Sequence, residues 1–113
     1  EVYKTLVAQG ISKEIYVFVI GVNSELDLKK AAKAAGEKKV EMLPVKDLQK
    51  HTGYIRGGCS PIGMKKLYRT FLDEQAKKLE TIVVSAGKIG MQIEMTASNL
   101  LAATDGGFAD LCK

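Results

Sequence analysis

Several residue types that enzymes use for acid–base, metal or covalent chemistry are scarce in this sequence. Among its 113 residues there are one histidine, two cysteines and no tryptophan. Two cysteines without a histidine cluster do not make a zinc site, and nothing else in the sequence indicates a metal or a cofactor. The single histidine, His51, lies at the end of a predicted helix without a catalytic motif around it, which argues against a Ser-His-Asp hydrolase.

Long apolar segments are also missing. The longest, residues 15–22, has the length of a strand and falls far short of the roughly 20 residues that a membrane-spanning helix requires. The first residues, Glu-Val-Tyr-Lys, lack the character of a secretory signal. We therefore expect a cytoplasmic protein without a membrane partner, and we expect both thiols to be free in that compartment.

The protein is moderately basic. Seventeen Lys and Arg residues outnumber 13 Asp and Glu residues, for a formal net charge of +4. This balance permits a polyanionic partner without requiring one, because exposed lysines give many small proteins the same charge. The scattered aromatic residues provide no platform for stacking bases, and we expect no DNA partner. The basic residues nevertheless form clusters that suit phosphate contacts: Lys29, Lys30 and Lys33, and then Lys65, Lys66 and Arg69.

Strands and short helices alternate along a single domain, residues 1–113, with no repeat or low-complexity segment. Strands are predicted at 3–8, 15–22, 40–43, 54–55, 70–72, 81–85 and 91–95, helices at 26–35, 45–50 and 97–103, and a short helix or polar turn at 73–78. Because the helices interrupt the strands irregularly and the last two strands form a hairpin, the pattern favours a mixed α/β fold (α+β). A mixed sheet or barrel fits it better than a doubly wound parallel sheet.

Two of these elements carry more specific predictions. The nearly unbroken apolar and β-branched run at residues 15–22 predicts a strand that is buried on both faces. Ser24 is the predicted N-cap of the first helix, with Asp27 in its first turn and Gly36 at its end.

The most informative segment is Gly57-Gly58-Cys59-Ser60-Pro61-Ile62-Gly63-Met64-Lys65-Lys66. A glycine pair lets the backbone approach a ligand closely because no Cβ intervenes. Pro61 stiffens the loop, and two lysines add positive charge beside it. By itself this segment indicates a binding loop for an anionic ligand, although a glycine-rich bend is often only a turn or a β-bulge.

The loop gains meaning from two other segments, Val2-Tyr3-Lys4-Thr5-Leu6 and Val84-Ser85-Ala86-Gly87-Lys88. Together the three resemble the YbaK/EbsC family of single-domain aminoacyl-tRNA deacylases, which are related to the editing domain inserted in bacterial prolyl-tRNA synthetases. The resemblance runs from Val2 to about Leu111. It implies a curved mixed β-barrel flanked by short helices, and it implies that the helix and strand with which family members usually begin are missing before Val2.

The resemblance also implies an activity. The most similar family members are Cys-tRNA(Pro) deacylases, hydrolases that remove cysteine from mischarged tRNA(Pro), with prolyl-tRNA synthetase as a partner. Cleavage assisted by the thiol of the substrate explains how such an enzyme works without a cofactor, a histidine or a protein nucleophile. Two alternatives remain: a deacylase of another misacylated tRNA such as Ala-tRNA(Pro), and a non-catalytic module that binds tRNA or the synthetase.

Seven residues make up the candidate site. Taken alone, Lys4 is a lysine at the end of a strand; by resemblance it is the catalytic residue, and one donor to a developing oxyanion is worth about 3–4 kcal/mol. Six residues are expected to bind the substrate: Gly57, Gly58, Ser60, Pro61, Ser85 and Gln92. By resemblance Gly57, Pro61 and Ser85 belong to the pocket, whereas the Ser60 hydroxyl fits a turn cap equally well. Gln92 stands where relatives can carry an acidic residue, so a general base at this position is doubtful. Cys59 is expected to pack in the loop rather than act as a nucleophile.

Overall fold

Seven strands and three α-helices make up the fold in the computed structural model, which describes residues 1–113. The strands are β1 (Tyr3–Gly10), β2 (Ile15–Gly21), β3 (Val40–Met42), β4 (Arg69–Asp73), β5 (Ile82–Ser85), β6 (Gln92–Met95) and β7 (Gly107–Ala109). The helices are α1 (Leu28–Ala35), α2 (Val45–Thr52) and α3 (Ala97–Thr104), and a 3₁₀ turn spans Glu74–Lys78. None of the helices is long and apolar enough to cross a membrane.

The strands form two sheets. Five of them lie in the order β3-β1-β2-β4-β7, with β1 antiparallel to β2 and β3, and β4 parallel to β2 and β7. The antiparallel pair β5–β6 forms the second sheet, which meets β1 through a single parallel bridge between Val2 and Val83. The predicted mixed α/β class is confirmed. The barrel does not close, because the outer strands β6 and β7 each pair on one side only, β6 with β5 and β7 with β4.

The central strand β2 is buried on both faces, as predicted. Its odd-numbered residues Val17 and Val19 pack in one apolar cluster with Tyr3, and its even-numbered residues Phe18 and Ile20 pack in a second cluster beneath α1. A strand with β1 on one side, β4 on the other and apolar layers above and below has no face left for polar residues. This explains its unbroken apolar sequence.

The cap of α1 differs from the prediction. The prediction of Ser24 as N-cap is wrong, because the cap lies three residues later, at Asp27, and the helix begins at Leu28. The carboxylate of Asp27 accepts hydrogen bonds from the backbone N–H groups of Lys29 at 2.9 Å and Lys30 at 3.1 Å. These contacts, led by the one from Lys30, lower the pKa of the Asp27 carboxyl group. Gly36 ends the helix in the left-handed conformation, as predicted.

Two further segments differ from the sequence pattern. Residues 54–55 form no strand, and the side chain of Tyr54 instead donates a hydrogen bond to the carbonyl oxygen of Ile62 at 2.6 Å. The short strand β7 was not predicted, because its sequence, Gly-Phe-Ala, has too little alternation to be seen. The hairpin formed by β5 and β6 and the helices α2 and α3 agree with the predictions apart from their ends.

Replacing Asp27 with alanine is expected to lower the melting temperature by a few degrees, because two backbone donors of α1 lose their acceptor. The control Ser24→Ala should change it less. Since the folded-state pKa of Asp27 lies below the value of 3.8 for the free group, its stabilising effect is present above that value and is lost as the pH falls through the lowered pKa. Thermal melts of both variants from pH 2.5 to 7 test this, and an equal loss at all pH values would contradict it.

Candidate active site at the edge of strand β1

The candidate site lies where the edge of β1 changes partner. At the start of β1, pairing with β5 stops at the bridge between Val2 and Val83. At its end, pairing with β3 covers residues 8–10, and the backbone N–H of Leu43 adds one bond to the carbonyl oxygen of Val7 at 2.9 Å. Thr5 lies between these two contacts and pairs with neither strand. The sheet therefore has a gap at Thr5.

The backbone groups of Thr5 point into this gap. In an antiparallel pair, hydrogen-bonded positions alternate along the strand. Val22 donates to Val2, and Gly10 donates to Glu14, so the even-numbered residues of β1 are the ones whose backbone groups bond to β2. The odd-numbered Thr5 consequently turns its N–H and its carbonyl oxygen towards the opposite edge, where no strand covers them. An uncovered strand edge offers a donor and an acceptor to a ligand.

A cavity of about 300 Å³ occupies the gap. It touches both Thr5 and Leu6, whose side chains project from opposite faces of the strand, and this places the cavity at the strand's edge. Most of its walls are apolar and come from β1, from the end of β3 through the first half of α2, and from the loop at residues 56–59. The lining residues are Thr5, Leu6, Val7, Met42, Leu43, Val45, Leu48, Arg56, Gly57 and Cys59.

Lys4 is not among the residues that line this cavity, but it directly precedes Thr5 and its side chain projects from the same face of β1 as that of Leu6. Lys4 and Leu6 are about 6.7 Å apart along the strand. An extended lysine side chain covers that distance, so the side chain of Lys4 can reach the part of the cavity that Leu6 lines. Lys4 is half-buried and takes part in none of the three salt bridges of the protein. Its ammonium group is therefore available to an anionic or carbonyl ligand.

Ser85 and Gln92 share the face of Lys4. Lys4 and Ser85 each lie two residues beyond the bridge between Val2 and Val83, so their side chains project from the same side. Gln92 is the direct partner of Ser85 in the hairpin. The Ser85 hydroxyl accepts a hydrogen bond from the N–H of Gly87 at 3.4 Å, so it also shapes the turn that follows. The register thus groups three of the predicted site residues on one surface.

The glycine pair contacts the loop of that same hairpin. A Cβ on Gly58 would lie 3.1 Å from the backbone nitrogen of Ile89 and 3.2 Å from the carbonyl carbon of Lys88. Because both neighbours are backbone atoms, they cannot rotate away. Gly57 has φ +85°, a conformation that favours glycine, and it lines the cavity. The loop at 57–58 therefore holds the cavity wall against the segment that follows Ser85.

Ser60 and Pro61 lie behind the cavity wall instead of lining it. The Ser60 hydroxyl accepts a hydrogen bond from the N–H of Ile62 at 3.2 Å, and both Ser60 and Pro61 are buried. Pro61 borders a separate, smaller depression of about 200 Å³ together with Ala103. In the free protein these two residues shape the glycine loop. Direct contact between either of them and a substrate stays a prediction.

Cys59 is packed as expected. It is 8% exposed and packs in an apolar cluster with Val7 and Leu43. Burial raises the pKa of its thiol from 9.0 to about 11, with a small opposing effect from a hydrogen bond with Thr52. A thiol with this pKa is almost entirely protonated at neutral pH, and the thiolate is the nucleophilic form. The cavity thus contains a cysteine that is a poor nucleophile.

The charged groups around the cavity are positive. Arg56 is the one charged residue that lines it, and neither a carboxylate nor a histidine is among the lining residues. His51 borders a different depression of about 530 Å³, and another of about 540 Å³ lies around Gly10; neither contains a predicted site residue. The cavity at Thr5 is smaller than these two, but it is the one that combines an open strand edge, a glycine wall and a free lysine.

Sequence reasoning missed Thr5 and Arg56. Both are adjacent to residues that were singled out, Thr5 after Lys4 and Arg56 before Gly57. Because side chains alternate along a strand, Thr5 and Lys4 project from opposite faces of β1. The sequence gives no sign that the edge of the strand is open at Thr5. That information depends on where β3 and β5 stop pairing.

The model of the aminoacyl-tRNA editing domain family matches residues 1–103. The protein belongs to this family. The predicted resemblance is confirmed by this match, and the cavity with its flanking lysine is the candidate active site of the editing domain.

Similar proteins agree with this assignment. A protein of Enterococcus faecalis named "Putative Cys-tRNA(Pro)/Cys-tRNA(Cys) deacylase EbsC" is 57% identical over 110 residues, which is 97% of this editing domain and 67% of that protein. The crystal structure of "a putative trans-editing enzyme for prolyl tRNA synthetase" superposes with a TM-score of 0.89 at 26% identity, covering 99% of this protein and 70% of the other. The hypothetical protein APE2540, at 22% identity and a TM-score of 0.92 over the whole of this protein and 75% of its own length, shows the fold alone.

Replacing Gly58 with alanine is expected to reduce any activity of this site at least tenfold, because the added methyl group forces the loops at 57–58 and 88–89 apart. Gly107→Ala is the matched control, since a Cβ at Gly107 meets nothing within 4 Å and its φ is not in the left-handed region. Steady-state kinetics and thermal melts of both variants test this. Equal activity in the two variants would show that the close approach is unimportant.

The thiol of Cys59 is expected to react with iodoacetamide about one hundred times more slowly than an unperturbed thiol at pH 8, because a rise in pKa from 9.0 to about 11 reduces the thiolate fraction by that factor. The rate should increase about tenfold for each pH unit between 7 and 9. Mass spectrometry on a Cys112→Ser variant isolates Cys59. Reaction at the rate of free cysteine would contradict this account.

Proposed function

We propose that this protein is a trans-editing hydrolase that removes mischarged cysteine from tRNA(Pro) by cleaving the aminoacyl ester. The observation that carries the proposal is the small apolar cavity, which has no carboxylate in its lining and lies at the strand residue that follows Lys4, in a protein that is 57% identical to one named as a Cys-tRNA deacylase. A cavity of about 300 Å³ is large enough for one small amino acid side chain and the ester bond.

The reaction that fits these residues uses the thiol of the substrate. The cysteinyl sulfur attacks its own ester carbonyl carbon, and the bond from that carbon to the ribose oxygen breaks. The ribose oxygen leaves as a hydroxyl group with the proton that the thiol releases, and water then opens the resulting thiolactone to free cysteine. The protein holds sulfur and carbonyl close together, which supplies much of the acceleration.

Lys4 has the role of stabilising negative charge. As the sulfur attacks, charge develops on the carbonyl oxygen, and a nearby ammonium group favours that state over the neutral ester. The absence of a carboxylate from the cavity lining leaves this charge without repulsion. Arg56 at the same cavity and the lysines of the glycine loop suit the phosphates of the tRNA end. The protein would then act in the cytoplasm, beside prolyl-tRNA synthetase, which supplies the mischarged tRNA.

A panel of Cys-, Ala- and Pro-tRNA(Pro) tests the reaction. We expect Cys-tRNA(Pro) to be cleaved at least tenfold faster than the other two, because only cysteine carries the attacking thiol. Preferential cleavage of Ala-tRNA(Pro) would assign the protein to a different deacylase specificity. Binding of tRNA without cleavage of any ester would assign it to the non-catalytic modules.

Lys4→Ala is expected to reduce kcat for Cys-tRNA(Pro) by a factor of about 100 or more while tRNA affinity changes by less than about threefold. Lys29→Ala, which removes an exposed lysine from α1, is the control and should leave kcat unchanged. Single-turnover deacylation and filter binding at fixed salt measure the two quantities. A Lys4→Ala enzyme with full turnover would remove Lys4 from the mechanism.

A further inference from the structure

One buried polar side-chain atom in the protein is left without a partner. The side-chain oxygen of Thr5 is buried and makes no hydrogen bond, and it is the single buried side-chain nitrogen or oxygen for which this holds. A buried hydroxyl group that loses water without gaining a partner destabilises the folded protein. Such an atom is unexpected at a position where valine, with the same shape, would pack without that cost.

The position of Thr5 gives this atom a use. Thr5 lines the cavity at the gap in the sheet, between Lys4 and Leu6. A rotation of 120° about its Cα–Cβ bond exchanges the hydroxyl and methyl groups between staggered positions, which can turn the hydroxyl towards the cavity. The backbone carbonyl oxygen of the same residue lies on the uncovered edge of β1. One residue therefore offers two oxygen acceptors at the cavity, and neither has a partner within the sheet ladder.

We propose that Thr5 is a positioning residue that binds the α-amino group of the aminoacyl ester. The amino group donates one hydrogen bond to the Thr5 hydroxyl and another to the Thr5 carbonyl oxygen. This inference rests on the proposed function, since it takes an aminoacyl ester as the ligand. Every aminoacyl-tRNA carries an α-amino group. The inference assigns the recognition of this group to Thr5, the residue next to Lys4.

The geometry of the strand explains why Lys4 and Thr5 contact different groups of the ester. Neighbouring side chains of a strand project to opposite faces, so Lys4 and Thr5 approach a ligand at the strand's edge from two sides. An ester held by its amino group at Thr5 presents its carbonyl group towards the face of Lys4. The apolar residues Val7 and Leu43 then face the side chain of the amino acid.

Thr5→Val tests the inference against two esters, Cys-tRNA(Pro) and its analogue 3-mercaptopropionyl-tRNA(Pro), which keeps the thiol but lacks the amino group. We expect kcat/KM for Cys-tRNA(Pro) to fall at least tenfold and that for the analogue to change by less than about threefold. Thr5→Ser should retain activity on both. An equal effect of Thr5→Val on the two esters, or no effect on either, overturns the proposal.

Thermal stability separates this role from a structural one. Because the Thr5 hydroxyl has no partner in the free protein, Thr5→Val should leave the melting temperature unchanged or raise it. The control Thr70→Val should lower it, since the Thr70 hydroxyl donates to the carbonyl oxygen of Tyr68 at 3.0 Å. A clear loss of stability in Thr5→Val would show that the hydroxyl is structural.

A binding measurement keeps the inference apart from the proposed function. Calorimetry with the non-hydrolysable 3′-cysteinylamido analogue of adenosine does not require turnover, and we expect Thr5→Val to bind it at least fivefold more weakly than the unchanged protein. If the unchanged protein cleaves no ester but shows this difference, the deacylase proposal fails and the Thr5 inference stands. If it cleaves Cys-tRNA(Pro) and Thr5→Val binds the analogue equally well, the Thr5 inference fails alone.

Discussion

The structure of the site depends on one strand edge that is shared between two partners. β1 is hydrogen-bonded along its whole length to β2, but its other edge pairs with β5 near Val2 and with β3 beyond Val7. Neither partner reaches Thr5. This arrangement leaves the backbone groups of Thr5 uncovered beside a cavity. An open strand edge can pair with another chain and cause aggregation. Here the open edge lies beside the cavity, where a ligand can cover it.

The surrounding elements keep this gap open. Gly58 lets two loops approach until their backbones touch, and Tyr54 ties its loop to Ile62. Residues of β1 and β2 pack together in the apolar clusters on both faces of the sheet, and this packing fixes the position of β1. The cavity wall therefore combines apolar side chains with the backbone of a loop that contains Gly57. Such a wall suits a site whose chemistry depends on holding a substrate in a fixed bend.

Much of the fold follows from local sequence patterns, and the site follows from them only in part. Local patterns in the sequence explain three features: the burial of β2 by its apolar run, the β5–β6 hairpin by the two glycines between its strands, and the end of α1 by Gly36. The cap at Asp27 was misplaced because Ser24 is an equally good capping residue, and the choice depends on the connection from β2. Lys4, Gly57 and Ser85 were recognised through a family resemblance. The role of Thr5 depends on where two distant strands stop pairing, which no local pattern records.

On the proposed function, the gap at Thr5 receives the aminoacyl end of a tRNA. Backbone amide shifts measured by NMR during titration with the non-hydrolysable 3′-cysteinylamido analogue of adenosine test it most directly, because they map the contact residue by residue without requiring catalysis. We expect the largest shifts at Thr5, Leu6 and Gly57, with smaller ones at Ser85. Shifts confined to the depression around His51 and Lys66, with none on β1, would contradict it.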